Sequence, residues 1–472
     1  MTEGKAFTHL WRYALPILLG SWLQLAYNAV DSIIAGRFIG RNALAAEGIA
    51  GPVMNLVILF INGLCIGSGV LMSEAFGKSD YERLRNTHST LIISGMISSL
   101  VLSLLAFIFS PSILRLMRCP DEIFSITNIY LRIIFLGTPF TFLYNALASA
   151  LKSVGDSKTP LMFLTLSSVL NGVLDLVFLG LFGFGITCSA LTTVIAEAVS
   201  AALAFLHMVR KETVICPGKE NMRIDTSLLA SILSYAAPTA LQQAIQPIGK
   251  VLIQGEVNSL GVSTIASYNA VTRIDDFACI PEQGIATAIA TFTAQNRGAG
   301  KTERIREGFR KGITLELSYG VLVCLVTFIL RRVLVALFVS GESAGDVVSC
   351  GVEYLTCMAF FYILPSLTNG FQGFYRGMGK MKTTVLGTFI QTSVRTLCTY
   401  LLAPATGIKG IAFSCAFGWT LMLFFEIPYY LMRRMRQYLK GLRVRLLFPS
   451  YRSPSSSTGW DSHTRFLLLQ PQ

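Results

Sequence analysis

Charge is scarce in this chain, and negative charge scarcer still. Only 14% of its 472 residues are charged, with 26 acids against 39 Lys and Arg, while 53% are hydrophobic and the mean hydropathy is +0.58. A chain this long and this apolar is not one soluble core; it is a polytopic membrane protein. There are four histidines, His9, His88, His207 and His463, all in or near ends and loops, and they show no ligand spacing. The ten cysteines form no CxxC pair, and most lie inside apolar runs, as Cys65, Cys279, Cys324, Cys398 and Cys415 do. No disulfide framework or zinc site is implied. No nucleophile is paired with a base and no nucleotide-binding P-loop is present, so neither an enzyme nor a primary pump is implied, and no cofactor. The net charge of +13 does not point to nucleic acid, because the basic residues sit in short loops rather than on one stripe.

What is present is apolar run after apolar run. Twelve stretches approach the roughly 20 residues that a bilayer needs: 10–38, 44–75, 87–110, 123–151, 161–181, 186–209, 228–257, 263–294, 309–332, 347–375, 383–402 and 408–432. The first begins directly after MTEGKAFTHLWRY, is too long for a signal-peptide core and lacks a small-residue cleavage site, so it is expected to remain as the first helix. Loops after even-numbered spans hold eighteen Lys and Arg, those after odd-numbered spans seven. By the positive-inside rule both termini are expected in the cytoplasm.

The two halves repeat each other. YALPILLG and YAAPTALQ align Pro16 with Pro238 at an offset of 222; FGKSDYERLRN and RGAGKTERIRE align Gly77 with Gly298 at 221; NALASALKSVGDSKT and NGFQGFYRGMGKMKT align Asn145 with Asn369 at 224; GITCSA and GIKGIA align at 222. A unit of six spans begins and ends on one side, so its copies are parallel, related by an axis along the membrane normal. Transporters with such halves bind near the midplane and rock one half against the other. The expected division is 1–209 and 228–432 for the two lobes, 210–227 for a cytoplasmic linker, and 433–472 for a basic juxtamembrane segment and tail.

The halves differ in their acids. Asp31, inside LAYNAVDSIIAGRF, is an acid in an apolar helix, where ionisation costs about 3 kcal/mol or more, so a bundle interior or a water-filled path is expected for it; a hydrated position near the helix end is the alternative. In the fifth span, NGVLDLVFLG sets Asn171 and Asp175 at i and i+4, on one helix face. At about 1.5 Å per residue, Asp31, Asp175 and Thr193 lie at similar depth, roughly 10 Å below the outer boundary. Two carboxylates in one poorly hydrated pocket do not both ionise cheaply, so one exchanges a proton readily. The same oxygens suit Na⁺, and both coupling ions are admissible. At the equivalent places the second half carries Ile253, Arg395 and Thr399. Arg395 is expected to pair with carbonyls or an acid, or to shape a cavity; Lys250 either snorkels or acts.

These stretches resemble the multidrug and toxic compound extrusion (MATE) family over nearly all of residues 7–432. The likeness is carried by YNAVDSIIAGRFIGRNALAAEGIAGP, GKSDYERLR, GAGKTERIR, KSVGDSKTPL, SSVLNGVLDLVFLG with GITCSALTTVIAE, RIDDFACIP and RGMGKMKTT. The resemblance implies an all-α fold of twelve transmembrane helices in two parallel six-helix repeats forming a V-shaped bundle, exporting cationic or amphipathic compounds in exchange for H⁺ or Na⁺. Its DinF-like branch places a cation site on Asp31, Asn171, Asp175 and Thr193, with Thr192 as substitute, and a helix-bending proline on Pro16. The acids of the NorM-like branch have no counterpart in QQAIQPIG or LPSLTNGF.

Gln24, Tyr27, Asn28, Tyr144 and Asn145 are candidate lining of a substrate cavity, with ordinary interhelical contact as the alternative. Glu282 is either a cavity residue or a partner of Arg273 or Lys250; Glu47 and Glu197 are further intramembrane acids. RRMRQYLKGLRVRLLF is expected against anionic lipid headgroups, and the Ser- and Pro-rich tail after it is expected to be disordered. The reading is a monomeric exporter of the inner membrane whose partners are small amphipathic or cationic molecules and membrane lipids. A lipid-linked saccharide flippase of the same superfamily and a non-transporting receptor or scaffold are the alternatives.

Overall fold

The computed structural model describes residues 1–34, 41–117, 119–212, 214–338 and 344–447, without the side chains of 29–34, 41–44, 219, 262, 344 and 433–447. Every regular element among them is helical: α1 Ala6–Ile34, α2 Arg41–Gly77, α3 Tyr81–Leu116, α4 Asp121–Val154, α5 Lys158–Asp175, α6 Ile186–Lys211, α7 Thr226–Ser259, α8 Val262–Cys279, α9 Glu282–Gly298, α10 Thr302–Ala336, α11 Ala344–Phe361, α12 Ile363–Gly377, α13 Met381–Thr406 and α14 Ile408–Leu447. A π-helical turn, Leu176–Leu181, prolongs α5, and a single 3-10 turn, Lys219–Asn221, precedes α7.

The chain forms two compact units, Met1–Leu423 and Phe424–Gln472. Within the second, the helix runs on to Leu447, with Phe425 stacked on Tyr429 at 6.1 Å between ring centres. The basic segment is therefore helical, and the tail from 448 lies outside the described residues.

The helices make twelve crossings in two repeats: α1 to α6, then α7, α8 with α9, α10, α11 with α12, α13 and α14. Contacts between the repeats obey the same symmetry. Helix α1 lies against α9 and α10, and α7 lies against α2 and α3, so exchanging the repeats exchanges the two sets. Seven helices among the described residues are long and apolar enough to span a bilayer by length and composition, or eight if the bent α11–α12 pair is one span. The other crossings are diluted by polar side chains such as Gln242, Gln243, Gln246 and Lys250 of α7.

The sequence reads 263–294 and 347–375 as single spans, and the structure breaks both. Pro281 has no N–H to give to the carbonyl four residues earlier. That carbonyl, of Phe277, takes the indole N–H of Trp22 at 3.3 Å instead, while the next, of Ala278, takes the Tyr319 hydroxyl at 3.0 Å. The second break falls at Tyr362, ahead of Pro365, and the axis bends there by 47°. The two breaks turn polar side chains inward where unbroken helices would present only one face.

Side-chain distribution is inverted relative to a soluble protein. On α3, Ser89, Thr90, Ser99, Ser103 and Ser110 are buried while Leu100, Leu104, Ile108 and Phe109 are each more than half exposed. Small hydroxyl residues let helices approach and satisfy one another, and large apolar ones face lipid. The closest approach joins the repeats at the ends of α2 and α9. A Cβ built on Gly77 would stand 1.9 Å from the Gln295 carbonyl oxygen, and one on Gly298 2.1 Å from that of Glu74. Beside this crossing, Arg297 donates to Glu74, which also holds Lys78 at 2.9 Å.

Candidate functional site

Helix α5 delivers Asn171 and Asp175 to one face, and both are buried, at 2% and 0% exposure. Asp175 is the last α-helical residue before the π-helical turn. Such turns widen the helix and recur at functional sites. Helix α6 packs along α5 and sets the Thr192 hydroxyl against the Asp175 carboxylate. The same hydroxyl oxygen lies 2.8 Å from the Ser189 carbonyl. One hydrogen thus has two acceptors, and which takes it depends on Asp175. An ionised carboxylate draws it; a protonated one donates to Thr192 oxygen and sends it to Ser189. Neither amide atom of Asn171 has a hydrogen-bond partner among the described residues. A buried amide in that condition is short by about 1–3 kcal/mol, and its oxygen, one helical turn from Asp175, is a hard donor of the kind a small cation takes.

Thr193, the hydroxyl expected in this set, lies elsewhere. Successive helical residues differ by about 100° in direction, so Thr192 and Thr193 do not share a face. Thr193 donates back to Ser189 at 3.0 Å and lines a cavity of about 40 Å³ with Glu197 and Thr141. There Thr141 donates to Glu197 at 2.5 Å. Asp31 lies in α1, but its side chain is outside the described residues, as is any statement of its distance from Asp175. Pro16 is interior to α1. Tyr144 donates to the Pro160 carbonyl at 2.8 Å and packs on the core of the first repeat, and Asn145 donates to Thr141 at 2.8 Å. Gln24 and Asn28 are exposed and Tyr27 partly so.

The second repeat holds its own polar interior, which sequence reading mostly missed. Asp275 accepts from Tyr354 at 2.8 Å and from Tyr362, one phenol on each carboxylate oxygen. Glu282 accepts from Ser366 at 2.7 Å and from Asn369 at 3.1 Å. Among the described residues it makes no ion pair with Lys250 or Arg273; Lys250 pairs with Asp276 at 3.0 Å, while the break at Pro281 turns Glu282 toward α12. Glu316 is buried, with neither oxygen hydrogen-bonded among the described residues. Its one signal was an acid inside GITLELSYG. A cavity of about 310 Å³ lies among α7, α8 and α11 to α14, with Lys250, Asp275, Asp276 and Arg395 in its wall.

Spacing along the chain offers histidine no ligand set, but the fold brings His207, Asp156 and Glu212 within 4.8 Å of one another. Asp156 is already committed as a helix cap, accepting the N–H groups of Lys158 and Thr159 at 3.0 Å.

A bundle of two repeated six-crossing units, with buried carboxylates inside, is the architecture of a membrane transporter. The MatE family model matches residues 16–177 and 238–401, one match per repeat, and the chain belongs to that family of transporters; it is not an enzyme. Among relatives, the probable multidrug resistance protein YpnP of Bacillus subtilis strain 168 is 28% identical over 411 residues, covering 87% of this chain and 91% of that protein. Multidrug export protein MepA of Staphylococcus saprophyticus is 22% identical over 420 residues, covering 89% and 92%. Among solved structures, a MATE protein in complex with MaL6 superposes with a TM-score of 0.87 at 21% identity, covering 91% of this chain and 96% of that one. A MOP superfamily transporter of Pyrococcus furiosus gives 0.84 at 21%, covering 92% and 96%.

Proposed function

We propose that the chain is a secondary active multidrug exporter of the inner membrane, an antiporter that moves amphipathic or cationic compounds outward as H⁺ or Na⁺ returns. The coupling cation is held by Asp175 and Asn171 of α5, Thr192 of α6 and Asp31 of α1. One observation carries this reading: a buried acid that shares a hydroxyl hydrogen with a backbone carbonyl, one turn from an amide with no partner among the described residues. The arrangement accepts a proton on Asp175 with only a hydroxyl rotation, or a small cation on three oxygens. Family membership and the names of the relatives support export of many compounds. Pro16 gives α1 a place to bend as Asp31 changes its charge.

The lobes are 1–209 and 228–432, joined through a cytoplasmic linker, and the chain acts as a monomer in contact with lipid. The basic loops put the Gly77 and Gly298 crossing at the cytoplasmic face, so the ion pair of Glu74 and Arg297 closes that side in this state. Reconstituted protein, with proton and sodium gradients imposed separately, tests the proposal through ethidium transport. Exchange of one ethidium cation for one H⁺ or Na⁺ moves no net charge, so the ion's chemical gradient drives it, and an imposed ion gradient of roughly 50-fold, about 2.3 kcal/mol, sustains a dye gradient of roughly the same size. Asp175→Asn and Asp31→Asn are expected to abolish that gradient while leaving the protein folded. Wild-type accumulation by both variants ends the assignment.

A further inference from the structure

Resting on that reading, we infer that the cavity of the second repeat is a subsite for the anionic group of an amphipathic substrate, a carboxylate above all, with Arg395 as its counter-charge. The cavity, about 310 Å³, is of the size that holds a ring system. Its wall carries two acids and two bases, but their availability differs. Both oxygens of Asp275 are taken by Tyr354 and Tyr362. Asp276 is taken by Lys250 at 3.0 Å. Arg395 lies beside the Cys415 thiol and within electrostatic reach of Asp275; it makes no salt bridge among the described residues, and its Nε has no hydrogen-bond partner among them. Asp275 keeps its charge, but its oxygens already hold two donors, so the donor left without an acceptor is the Arg395 guanidinium.

A guanidinium in that condition matches a planar carboxylate, to which it can give two parallel hydrogen bonds. Trp419, Met358 and Pro365 supply the apolar part of the wall, which suits an amphiphile better than a small inorganic anion. Position adds to the argument. Arg395 stands in α13 at the offset of 224 from Asn171, so the place that offers an orphan amide to a cation in the first repeat offers a guanidinium in the second. A zwitterion would thus find its anionic end recognised in one lobe, and the coupling cation would occupy the other.

Rhodamine 110 and its methyl ester, rhodamine 123, differ only in whether the carboxyl group is free, and their binding to purified full-length protein in neutral detergent can be read by fluorescence polarisation. Wild type is expected to bind the free acid roughly tenfold more tightly, the size of one charge-assisted hydrogen bond. Arg395→Gln brings the ratio to about one and Arg395→Lys retains part of it. Thermal unfolding of each variant reports folding, and Lys250→Gln, which frees Asp276, lowers the same ratio by a second route. Equal binding of the two dyes by wild type, or a preference unchanged in Arg395→Gln, overturns the inference. Short-chain phosphatidylglycerol should not displace rhodamine 110; displacement that depends on Arg395 would make the occupant a lipid headgroup and overturn it as well. Protein that moves no dye under any gradient, yet keeps the Arg395-dependent preference, would end the export proposal and leave this one standing.

Discussion

At one place the two repeats make the same contact with different chemistry. Where α5 meets α6, Asp175 takes the hydroxyl of Thr192. Where α13 meets α14, Thr399, at the offset of 224 from Asp175, lies 2.8 Å from Ser414, at 222 from Thr192. Both are buried, and both tie neighbouring helices together. Thr399 with Ser414 is neutral in every state and is satisfied by the backbone besides, through the Arg395 carbonyl at 2.8 Å. Asp175 with Thr192 changes with protonation. The duplicated fold therefore needs a polar contact here, and only the first repeat uses an ionisable one. A structural requirement is met twice, and a titratable group is added once.

The most severe way to break the comparison is to give the first repeat the second's residue. Asn171→Arg places a fixed cation one turn from Asp175, and coupled ethidium transport should fall to background, a loss of roughly 50-fold in attainable gradient when the imposed ion gradient is of that size; retained transport would mean that Asn171 is not in the site. Next, Thr192→Ala and Thr193→Ala separate adjacent residues. Removing the hydroxyl that faces Asp175 should slow coupled transport roughly tenfold, the equivalent of about 1.4 kcal/mol, whereas Thr193→Ala should change it less than about twofold. Rates measured in proteoliposomes at matched protein content decide, and the reverse ranking would restore Thr193 to the site.

A smaller effect is expected at the crossing of α2 and α9. Gly77→Val and Gly298→Val each force the repeats apart, and each should destabilise the protein by about 1–3 kcal/mol; thermal unfolding in detergent reads this, and symmetry predicts similar losses for the two. The least is expected from Tyr362→Phe, which removes one of two phenols on Asp275. It should lower stability by about 1 kcal/mol with little change in ethidium transport per folded molecule. A larger effect on transport than on stability would make Asp275 a second coupling group and erase the contrast between the lobes.

Much of this was legible along the chain. The four aligned stretches announced two repeats, and the family model divides at nearly the same offset. Asn171 and Asp175 could be put on one face because one helical turn is a local property. Thr192 and Thr193 could not be told apart, since a hydroxyl's direction depends on how α6 is rotated against α5. Apart from Glu282, the acid-bearing interior of the second repeat was missed for a related reason. Asp275, Glu282 and Glu316 are separated by a helix break or by another helix, so spacing alone gives no sign that they line one lobe.

By itself the sequence determined that this chain lives in a membrane, crosses it in two matched sets of six, and sets an Asn and an Asp on one helix face in the first set. Hydropathy, loop charge and helical period are carried by consecutive residues, and no fold is needed to read them. Tertiary structure alone decided which threonine meets Asp175, that Pro281 turns Glu282 away from Lys250, and that Arg395 comes to the wall of a cavity it shares with Asp275. Those outcomes depend on the rotation of each helix about its axis and on the breaks within it. Packing against neighbours distant in sequence sets both.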